Sequence, residues 1–268
     1  MAKIILTENQ LIDLIKNAVG KIIDLPKSGD FNLKDLLNKL DKDDIGSDVK
    51  EKITSLTKKF GNKTNFGKVK LVDNFNSEQK SNISHLIDLM NSKGIKNPYT
   101  QIGILSVIGK ESNFIPKSEV NYSNTPNNRI RNIFGDRVPR EDSKLDRLKK
   151  NPRKFFDVVY GGRLGNDSDE GYKYRGRGFN QLTFKGNYEK YGSMAGVDIV
   201  SNPDKLNDPN VAAKVALAFF TKGKPVSSFP DFSDKDDAAK YFADINSGGG
   251  VSSHRQKAID YSEKFDVV

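Results

Sequence analysis

An apolar stripe that ends on a glutamate constrains the fold of this chain most. The stretch from Tyr99 to Lys110 repeats isoleucine, leucine and valine at helical spacing, at Ile102, Ile104, Leu105, Val107 and Ile108. At about 100° per residue, Glu111 falls in the same sector as Ile104, Val107 and Ile108. The sequence therefore predicts a helix that starts at Asn97-Pro98, faces the interior and carries a partly desolvated carboxyl group near its end.

Helical periodicity recurs along most of the remaining chain. It predicts a helix from Ser77 to near Gly94 and five later helices, at Leu145 to Lys150, Pro152 to Val159, Val211 to Phe220, Asp236 to Ile245 and Ser253 to Phe265. Strand-like alternation is limited to pieces between Tyr172 and Thr183. We therefore predict a mainly α (α+β) fold with a small β element.

Composition divides the chain into two regions near residue 76. Residues 1–75 contain short helical patterns, the first opened by a capping box at Thr7 to Gln10, and end in a Gly- and Asn-rich stretch that is typical of a linker. All ten arginines lie after residue 128. We predict a small helical N-terminal domain at 1–75 and a larger helical domain at 76–268.

The positive charge of the chain indicates affinity for polyanions. A net charge of +9 and a pI near 9.4 suit nucleic acid, an anionic membrane surface or an anionic cell-wall polymer. The sequence has no zinc-finger spacing, no helix of repeated Lys/Arg and no RNA-binding aromatic motif, which disfavours nucleic acid as a partner. No apolar run approaches the roughly 20 residues of a membrane span, and the N-terminus lacks the apolar core of a secretory signal.

Cysteine and histidine content limits the chemistry. The chain has no cysteine and two histidines, so disulfides and thiol nucleophiles are excluded and little is left for zinc. We predict no metal and no cofactor, and acid–base chemistry falls to carboxylates. His85 lies in a helical pattern and is interpreted as structural. His254 follows the glycines at 248–250, and both a ligand contact and a structural role fit it.

Glu111 and Glu119 are the carboxylates that the pattern sets apart. Desolvation on the apolar stripe would raise the pKa of Glu111, as a general acid requires. The stretch from Asn113 to Pro116 breaks the helix, so we expect Glu119 to face Glu111 across a groove. Two carboxylates on either side of a water suit acid–base hydrolysis. The alternatives are that Glu111 simply reaches solvent and that Glu119 is an ordinary surface glutamate.

The stretch from Gly171 to Tyr188 has the composition of a ligand-binding groove. It combines four glycines with five aromatic residues, two arginines and the amides of Asn180, Gln181 and Asn187. Flat rings and amides suit the faces and edges of sugars, and glycines let the backbone lie close to a ligand. Arg175 and Arg177 fit two roles: binding substrate carboxyl groups, or holding the two glutamates. We favour the second role for one of them.

Five motifs in order resemble one enzyme family. They are Lys110-Glu-Ser-Asn-Phe114, Glu119-Val-Asn-Tyr-Ser123, Tyr160-Gly-Gly-Arg-Leu-Gly-Asn166, Tyr174-Arg-Gly-Arg-Gly-Phe-Asn-Gln-Leu-Thr183 with Asn187-Tyr188, and Asn202-Pro-Asp204 with Asp208-Pro209. From about Asn97 to Phe220 the chain resembles phage endolysins of the chitinase-like glycoside hydrolase family 19. That resemblance implies a lysozyme-like helical catalytic domain.

The resemblance also implies roles for individual residues. Glu111 would be the general acid and Glu119 the general base. The substrate would be bound by Tyr122, Ser123, Gln181, Thr183 and Asn187, with Arg175 and Asn246 as further contacts. Arg255 would be a buried structural ion-pair partner. The Glu119 motif is one residue shorter than in the family, and the stretch from Ile245 to Gly249 is a looser version of the family's element.

The activity implied is hydrolysis of β-1,4 bonds in peptidoglycan by an inverting mechanism. The alternatives are a lytic transglycosylase, whose motif Glu111 to Pro116 also resembles, a chitinase, and a non-catalytic wall-binding virion protein. Residues 1–75 would serve wall targeting or attachment to phage virion proteins. The resemblance predicts a phage-encoded protein made in the host cytoplasm without a signal peptide, which acts on the wall after holin release or as a virion component.

Overall fold

The computed structural model describes residues 65–268. The helices predicted before residue 61 lie outside the described residues. The described part contains, in chain order, β1 Asn65–Phe66, β2 Val69–Leu71, α1 Ser77–Ser92, α2 Pro98–Ser112, α3 Asn127–Phe134, α4 Asp142–Lys149, α5 Pro152–Tyr160, α6 Lys185–Ala195, α7 Pro209–Thr221, α8 Lys235–Ser247, α9 Ser252–Ser262 and β3 Phe265–Val267. The mainly helical fold class is confirmed.

The starts of α1 and α2 follow from their capping residues. Asn76 and Gln79 form a reciprocal capping box at the start of α1. Asn97 accepts a hydrogen bond from the Thr100 backbone N–H, and Pro98 occupies the first turn of α2, where a missing N–H has no consequence. Both helices therefore begin where the sequence predicts.

Helix α2 is the centre of the largest hydrophobic cluster. Its residues 100–109 are all buried, so this helix is buried on every side and not only along the predicted apolar stripe. Helices α8 and α9 both pack against it. Two glycines allow the close approach: a Cβ on Gly103 would lie 2.7 Å from the Ala238 backbone on α8, and one on Gly109 would lie 2.1 Å from the Tyr261 ring on α9.

Helices α3 to α5 form a lobe with its own core, residues 127–160. Its buried residues are Ile130, Phe134, Val138, Leu145, Phe155, Phe156 and Val159, and Tyr122 packs against them from outside the lobe. A further cluster surrounds Tyr174, Leu182 and Tyr188 in the stretch that follows. The stretch from Gly171 to Tyr188 thus lies between two cores, each of which fixes part of it.

The sheet differs from the sequence prediction. It is antiparallel in the order β1-β2-β3 and joins Val69 to Val267 and Leu71 to Phe265. The stretch from Tyr172 to Thr183, where strand pieces were expected, has only the isolated bridge between Arg177 and Leu182 among the described residues. Gly176 and Gly178 in this stretch favour turns, whereas β3 is too short to be found by alternation.

Three helices depart from the predicted set. The last helix ends at Ser262, and Phe265 belongs to the strand instead. Helices α3 and α6 were not predicted. Helix α3 is short and shows two buried residues, Ile130 and Phe134, whereas α6 begins inside a glycine-rich stretch.

Residues 65–75 pack with the larger domain, which the sequence prediction began at residue 76. Val69, Leu71 and Phe75 are buried in the same cluster as α2. Phe75 stacks on Phe265 at a centroid distance of 5.7 Å. Among the described helices, none is both long and apolar enough to cross a membrane.

We predict that Gly109→Ala destabilises the fold. The new methyl group would overlap the Tyr261 ring, and overpacking of this kind costs about 1–3 kcal/mol. The midpoint of thermal unfolding should fall by several degrees relative to the wild type, as measured by circular dichroism. Ser193→Ala on the exposed face of α6 is the control and should leave the midpoint unchanged; an equal shift in both variants would contradict the close-contact explanation.

Candidate active site

Glu111 lies in the last turn of α2 and is held through one oxygen. Its Oε1 atom accepts a hydrogen bond from Asn246 Nδ2 at 2.9 Å and pairs with Lys110 Nζ at 2.6 Å. The Glu111 side chain is 22% exposed, so it is partly desolvated, as the helical stripe predicts. Asn246, predicted as a sugar contact, comes from the end of α8 and contacts the glutamate itself.

The chain turns sharply after Glu111 because two consecutive residues are left-handed. Asn113 and Phe114 have φ values of 52° and 60°. Asn113 ends the helix as its C-cap, and its side-chain oxygen accepts a hydrogen bond from Tyr261 Oη at 2.6 Å. Phe114 is fully buried against Phe75 and Phe265. Packing of Phe114 therefore holds the bend that the sequence analysis assigned to the stretch ending at Pro116.

Glu119 accepts three hydrogen bonds from neutral donors. Its Oε1 atom accepts from Tyr122 Oη at 2.7 Å and Tyr160 Oη at 3.1 Å. Its Oε2 atom accepts from the Gly176 backbone N–H at 3.2 Å. The Glu119 backbone N–H in turn donates to Gly176 O at 2.7 Å. The carboxylate is thus oriented by the lobe on one side and by the Gly171 to Tyr188 stretch on the other.

Tyr122 and Tyr160 remain protonated donors over the working range of most enzymes. Burial, followed by the charge of Glu119, raises the pKa of both phenols well above the usual value near 10. Tyr122 is wedged among lobe aromatics and stacks on Phe155 at 5.1 Å. The Tyr122 hydroxyl, which we predicted as a substrate contact, donates to Glu119.

Tyr160 is a site residue that the sequence analysis missed. It is the last residue of α5, and buried Asn166 fixes its backbone: Asn166 Nδ2 donates to Tyr160 O at 2.9 Å, and Asn166 Oδ1 accepts from the Lys185 N–H at 2.8 Å. The motif from Tyr160 to Asn166 was visible in the sequence, but its spacing does not show that the tyrosine reaches Glu119.

We expected one of the two arginines Arg175 and Arg177 to hold a catalytic glutamate. Neither does so, and this prediction is wrong. Arg177 is buried and pairs with Asp204 at 2.8 Å. Arg175 stacks on the Tyr172 ring, with Cζ 4.0 Å from the ring centroid, and donates to Tyr172 O. The backbone N–H of Gly176, between the two arginines, makes the contact with Glu119 instead.

The predicted substrate residues of the central stretch hold one another. Gln181, itself left-handed with φ 51°, donates from Nε2 to Lys117 O and Gly178 O. Thr183 Oγ1 donates to Gln181 O, and Asn187 Nδ2 donates to Thr183 O. These bonds use the hydroxyl hydrogen of Thr183 and amide hydrogens of Gln181 and Asn187, and they leave the side-chain oxygens of the three residues able to accept from a ligand. Ser123 stands apart, since both its N–H and its hydroxyl donate to Asn121.

Gly176 brings Gln181 and Glu119 into one place. A Cβ atom there would lie 3.2 Å from Gln181 Oε1 and 3.3 Å from Glu119 Oε2. Both oxygens therefore crowd the same face of the glycine. Gln181, predicted to bind substrate, thus lies close to the predicted base Glu119, as do the contact pairs Glu119–Tyr122 and Glu111–Asn246.

His254 and Arg255 occupy the first turns of α9, beside Glu111. His254 Nδ1 lies 3.3 Å from Lys110 Nζ. Arg255 forms a two-pronged pair with Asp244, at 2.7 Å to each oxygen, so the predicted ion pair is present, although both side chains are partly exposed and not buried. Within residues 65–268, no group of three His, Asp or Glu side chains is placed to hold a metal ion.

The described site offers two carboxylates in unlike surroundings beside a stretch rich in amides and rings. Residues 163–236 match the model of the chitinase class I family, the glycoside hydrolase family 19 type. This region of the chain is therefore similar to class I chitinases. The matched residues contain the whole stretch from Gly171 to Tyr188, whereas Glu111, Glu119 and Asn246 lie outside them.

Two relatives carry related descriptions. A Haemophilus influenzae protein described as containing a glycosyl hydrolase family 19 domain is 37% identical over 133 residues, which is 47% of this chain and 64% of that protein. Acidic endochitinase Q of Nicotiana tabacum is 41% identical over 54 residues, 20% of this chain and 21% of the endochitinase. The chain thus spans just under two thirds of the first relative and about a fifth of the second.

Two solved structures are also similar. A bacterial family 19 chitinase aligns with a TM-score of 0.37 and 18% identity, covering 69% of this chain and 84% of the other. A chitinase C variant aligns with a TM-score of 0.37 and 17% identity, covering 78% of this chain and 87% of the other.

We predict that Tyr122→Phe and Tyr160→Phe lower activity without unfolding the protein. Each change removes a hydrogen bond to a charged group, worth about 1.5–3 kcal/mol, so kcat should fall about 10- to 100-fold if Glu119 must be oriented and ionised. Tyr241→Phe, in the main core, is the matched control. The assay is release of reducing ends from the β-1,4-linked glycan that the wild type cleaves, and full activity in both site variants would show that the tyrosines do not serve Glu119 in turnover.

Proposed function

We propose that this chain hydrolyses β-1,4 glycosidic bonds of bacterial peptidoglycan by single displacement, with Glu111 as general acid and Glu119 as general base. The observation that carries the proposal is the unequal hydrogen bonding of the two carboxylates. Glu119 accepts hydrogen bonds on both oxygens, whereas Glu111 Oε2 has no partner within the described residues. An acid must hold its proton where the substrate can take it, and a base must stay ionised.

The proton of the acid belongs on Glu111 Oε2. Oε1 already receives N–H hydrogens from Lys110 and Asn246, so a proton on that oxygen would meet two donors. Oε2 is free to carry a hydrogen toward the glycosidic oxygen of a bound sugar. As the bond between the anomeric carbon and the glycosidic oxygen breaks, the glycosidic oxygen takes the proton and Glu111 becomes a carboxylate.

Glu119 is suited to activate water. Three donors orient its carboxylate, and Oε2 receives only the Gly176 N–H, which leaves a lone pair for the proton of a water. The water attacks the anomeric carbon from the face opposite the leaving group. Inverting enzymes separate the two carboxyl groups by about 6.5–9.5 Å to admit this water.

The charge of the α3–α5 lobe favours an anionic substrate. Residues 127–160 contain ten Lys/Arg and five Asp/Glu, a net of +5 out of +9 for the chain. Four of the five acids are already paired with lobe cations. Six exposed cations form no salt bridge within the described part of the chain: Arg129, Arg137, Arg147, Lys150, Arg153 and Lys154. Peptidoglycan carries carboxylates, whereas chitin is uncharged.

The lobe also bears directly on the site, since its last residue, Tyr160, donates to Glu119. A polyanion attracted to the lobe would therefore arrive beside the base. Electrostatic attraction of this kind raises the local concentration of substrate and falls with ionic strength.

Chitinase activity is the second candidate. It is favoured by the match of residues 163–236 to the chitinase class I model and by the tobacco relative's description as an endochitinase. A lytic transglycosylase would need only Glu111. Origin in a phage, release through a holin and attachment to a virion stay predictions from the motif resemblance, as does the role of residues 1–75.

We predict that Glu111→Gln and Glu119→Gln each reduce glycan cleavage by at least about 100-fold, because each removes one of the two proton-transfer groups. Purified peptidoglycan and soluble oligomers of β-1,4-linked N-acetylglucosamine are incubated with wild type and both variants, and fragments are identified by mass spectrometry. Glu189→Gln on the exposed face of α6 is the matched control.

The products decide between the candidates. Reducing ends from peptidoglycan, made by the wild type alone, support the proposal, and cleavage of the oligomer alone supports a chitinase. Anhydro-sugar ends, retained in Glu119→Gln, indicate a transglycosylase. Full activity of Glu111→Gln on either polymer rejects the mechanism.

We predict that Arg153→Glu with Lys154→Glu weakens binding to peptidoglycan by about 10-fold at low salt, since it reverses part of the lobe's field. Binding is measured by co-sedimentation with purified walls, and the difference should vanish near 1 M salt, where the Debye length is about 3 Å. Lys93→Glu with Lys224→Glu makes the same charge change outside the lobe. Equal losses in both double variants would show that overall charge, and not the lobe, sets the affinity.

A further inference from the structure

Lys110 is a largely buried cation beside the candidate acid. Its side chain is 9% exposed, although it lies in the last turn of α2 next to Glu111. A buried ammonium group must find acceptors for its hydrogens, because an unpaired charge is costly to remove from water. Two groups lie within reach: Glu111 Oε1 at 2.6 Å and His254 Nδ1 at 3.3 Å.

His254 can accept from Lys110 only as a neutral imidazole. A ring that accepts at Nδ1 carries its hydrogen on Nε2, whereas a protonated ring would place a second cation against Lys110. The surroundings keep the ring neutral, since burial and then the charge of Lys110 lower the pKa of His254 below its usual value of 6.5.

We propose that Lys110 and His254 are positioning residues, which anchor Glu111 through Oε1 and thereby keep Oε2 turned to the substrate as the proton-carrying atom. The chain of contacts runs from His254 on α9 through Lys110 to Glu111 on α2, and Asn246 from α8 closes it on the other side of Oε1. This inference rests on the proposed role of Glu111 as general acid. It assigns to Lys110 and His254 functions that act through Glu111.

The charges around His254 fix the direction of its pH response. Lys110 and Lys257 oppose its protonation, and Glu111 favours it. On α8, Asp244 is already engaged by Arg255. Because the pKa of His254 lies below 6.5, the contact with Lys110 is complete above that pH and is lost as the pH falls through the pKa. Loss of the acceptor frees Lys110, and with it the anchored oxygen of Glu111.

The test compares Lys110→Met, His254→Phe and His254→Asn with the wild type. The substrate is solubilised peptidoglycan or the N-acetylglucosamine oligomer, whichever the wild type cleaves, and kcat and KM are measured from pH 4 to 9. We expect Lys110→Met and His254→Phe to lower kcat about 10- to 100-fold, since small misplacement of a catalytic group has effects of this size, while KM changes less than about threefold.

His254→Asn is the conservative rescue. The side-chain oxygen of the asparagine can accept from Lys110 but cannot titrate. The kcat of this variant should therefore stay within about threefold of the wild type. Any decline of kcat below pH 6.5 that is caused by protonation of His254 should disappear. Gln256→Ala, on the exposed side of the same helix, controls for disturbance of α9. Circular dichroism of each variant checks the fold; if Lys110→Met unfolds, the two His254 variants carry the test.

The outcomes separate this inference from the proposed function. If Glu111→Gln is inactive but Lys110→Met and His254→Phe keep wild-type kcat and pH profiles, the positioning role is wrong and the acid assignment stands. If Glu111→Gln is active, the acid assignment fails and the inference fails with it. If His254→Asn is as impaired as His254→Phe, then an acceptor for Lys110 at this position does not restore activity, and the positioning role is again rejected.

Discussion

The close packing of α2 against α8 and α9 is the constraint on which the site depends. Gly103 and Gly109 have no side chain to separate the helices, so α8 and α9 lie directly against α2. Asn246 at the end of α8 and His254 at the start of α9 consequently reach the last turn of α2. A larger residue at either glycine would separate the helices and draw these side chains away from Glu111 and Lys110.

Glu119 depends on a different set of supports. The lobe supplies Tyr160, its core holds the Tyr122 ring, and the stretch after residue 171 supplies the Gly176 N–H. The backbone bond from Glu119 N–H to Gly176 O joins these parts. The two carboxylates are thus carried by separate hydrophobic cores, which lets their environments differ although only eight residues separate them in sequence.

Sequence reasoning predicted what local signals determine. Helix α2, its capped start and the partial burial of Glu111 follow from periodicity and neighbouring residues. Contacts between distant residues did not follow: the β3 strand pairs with residues near 70, and Tyr160 reaches Glu119 across 41 positions. The arginine expectation failed because sequence shows that a cation is near in the chain, but not that Asp204 holds Arg177.

The supports of the two carboxylates also differ in charge, and this difference matters chemically. The donors around Glu119 are two phenols and an amide, which orient an anion without bringing a formal charge that would compete with an anionic substrate. Glu111 instead shares the partly buried ammonium group of Lys110 with a neutral imidazole. Because the cation contacts only Oε1, it fixes the carboxyl group while Oε2 stays available. In an enzyme with this arrangement, the end of a helix would hold the acid in its working position before substrate binds. Loops joined to a basic lobe would do the same for the base.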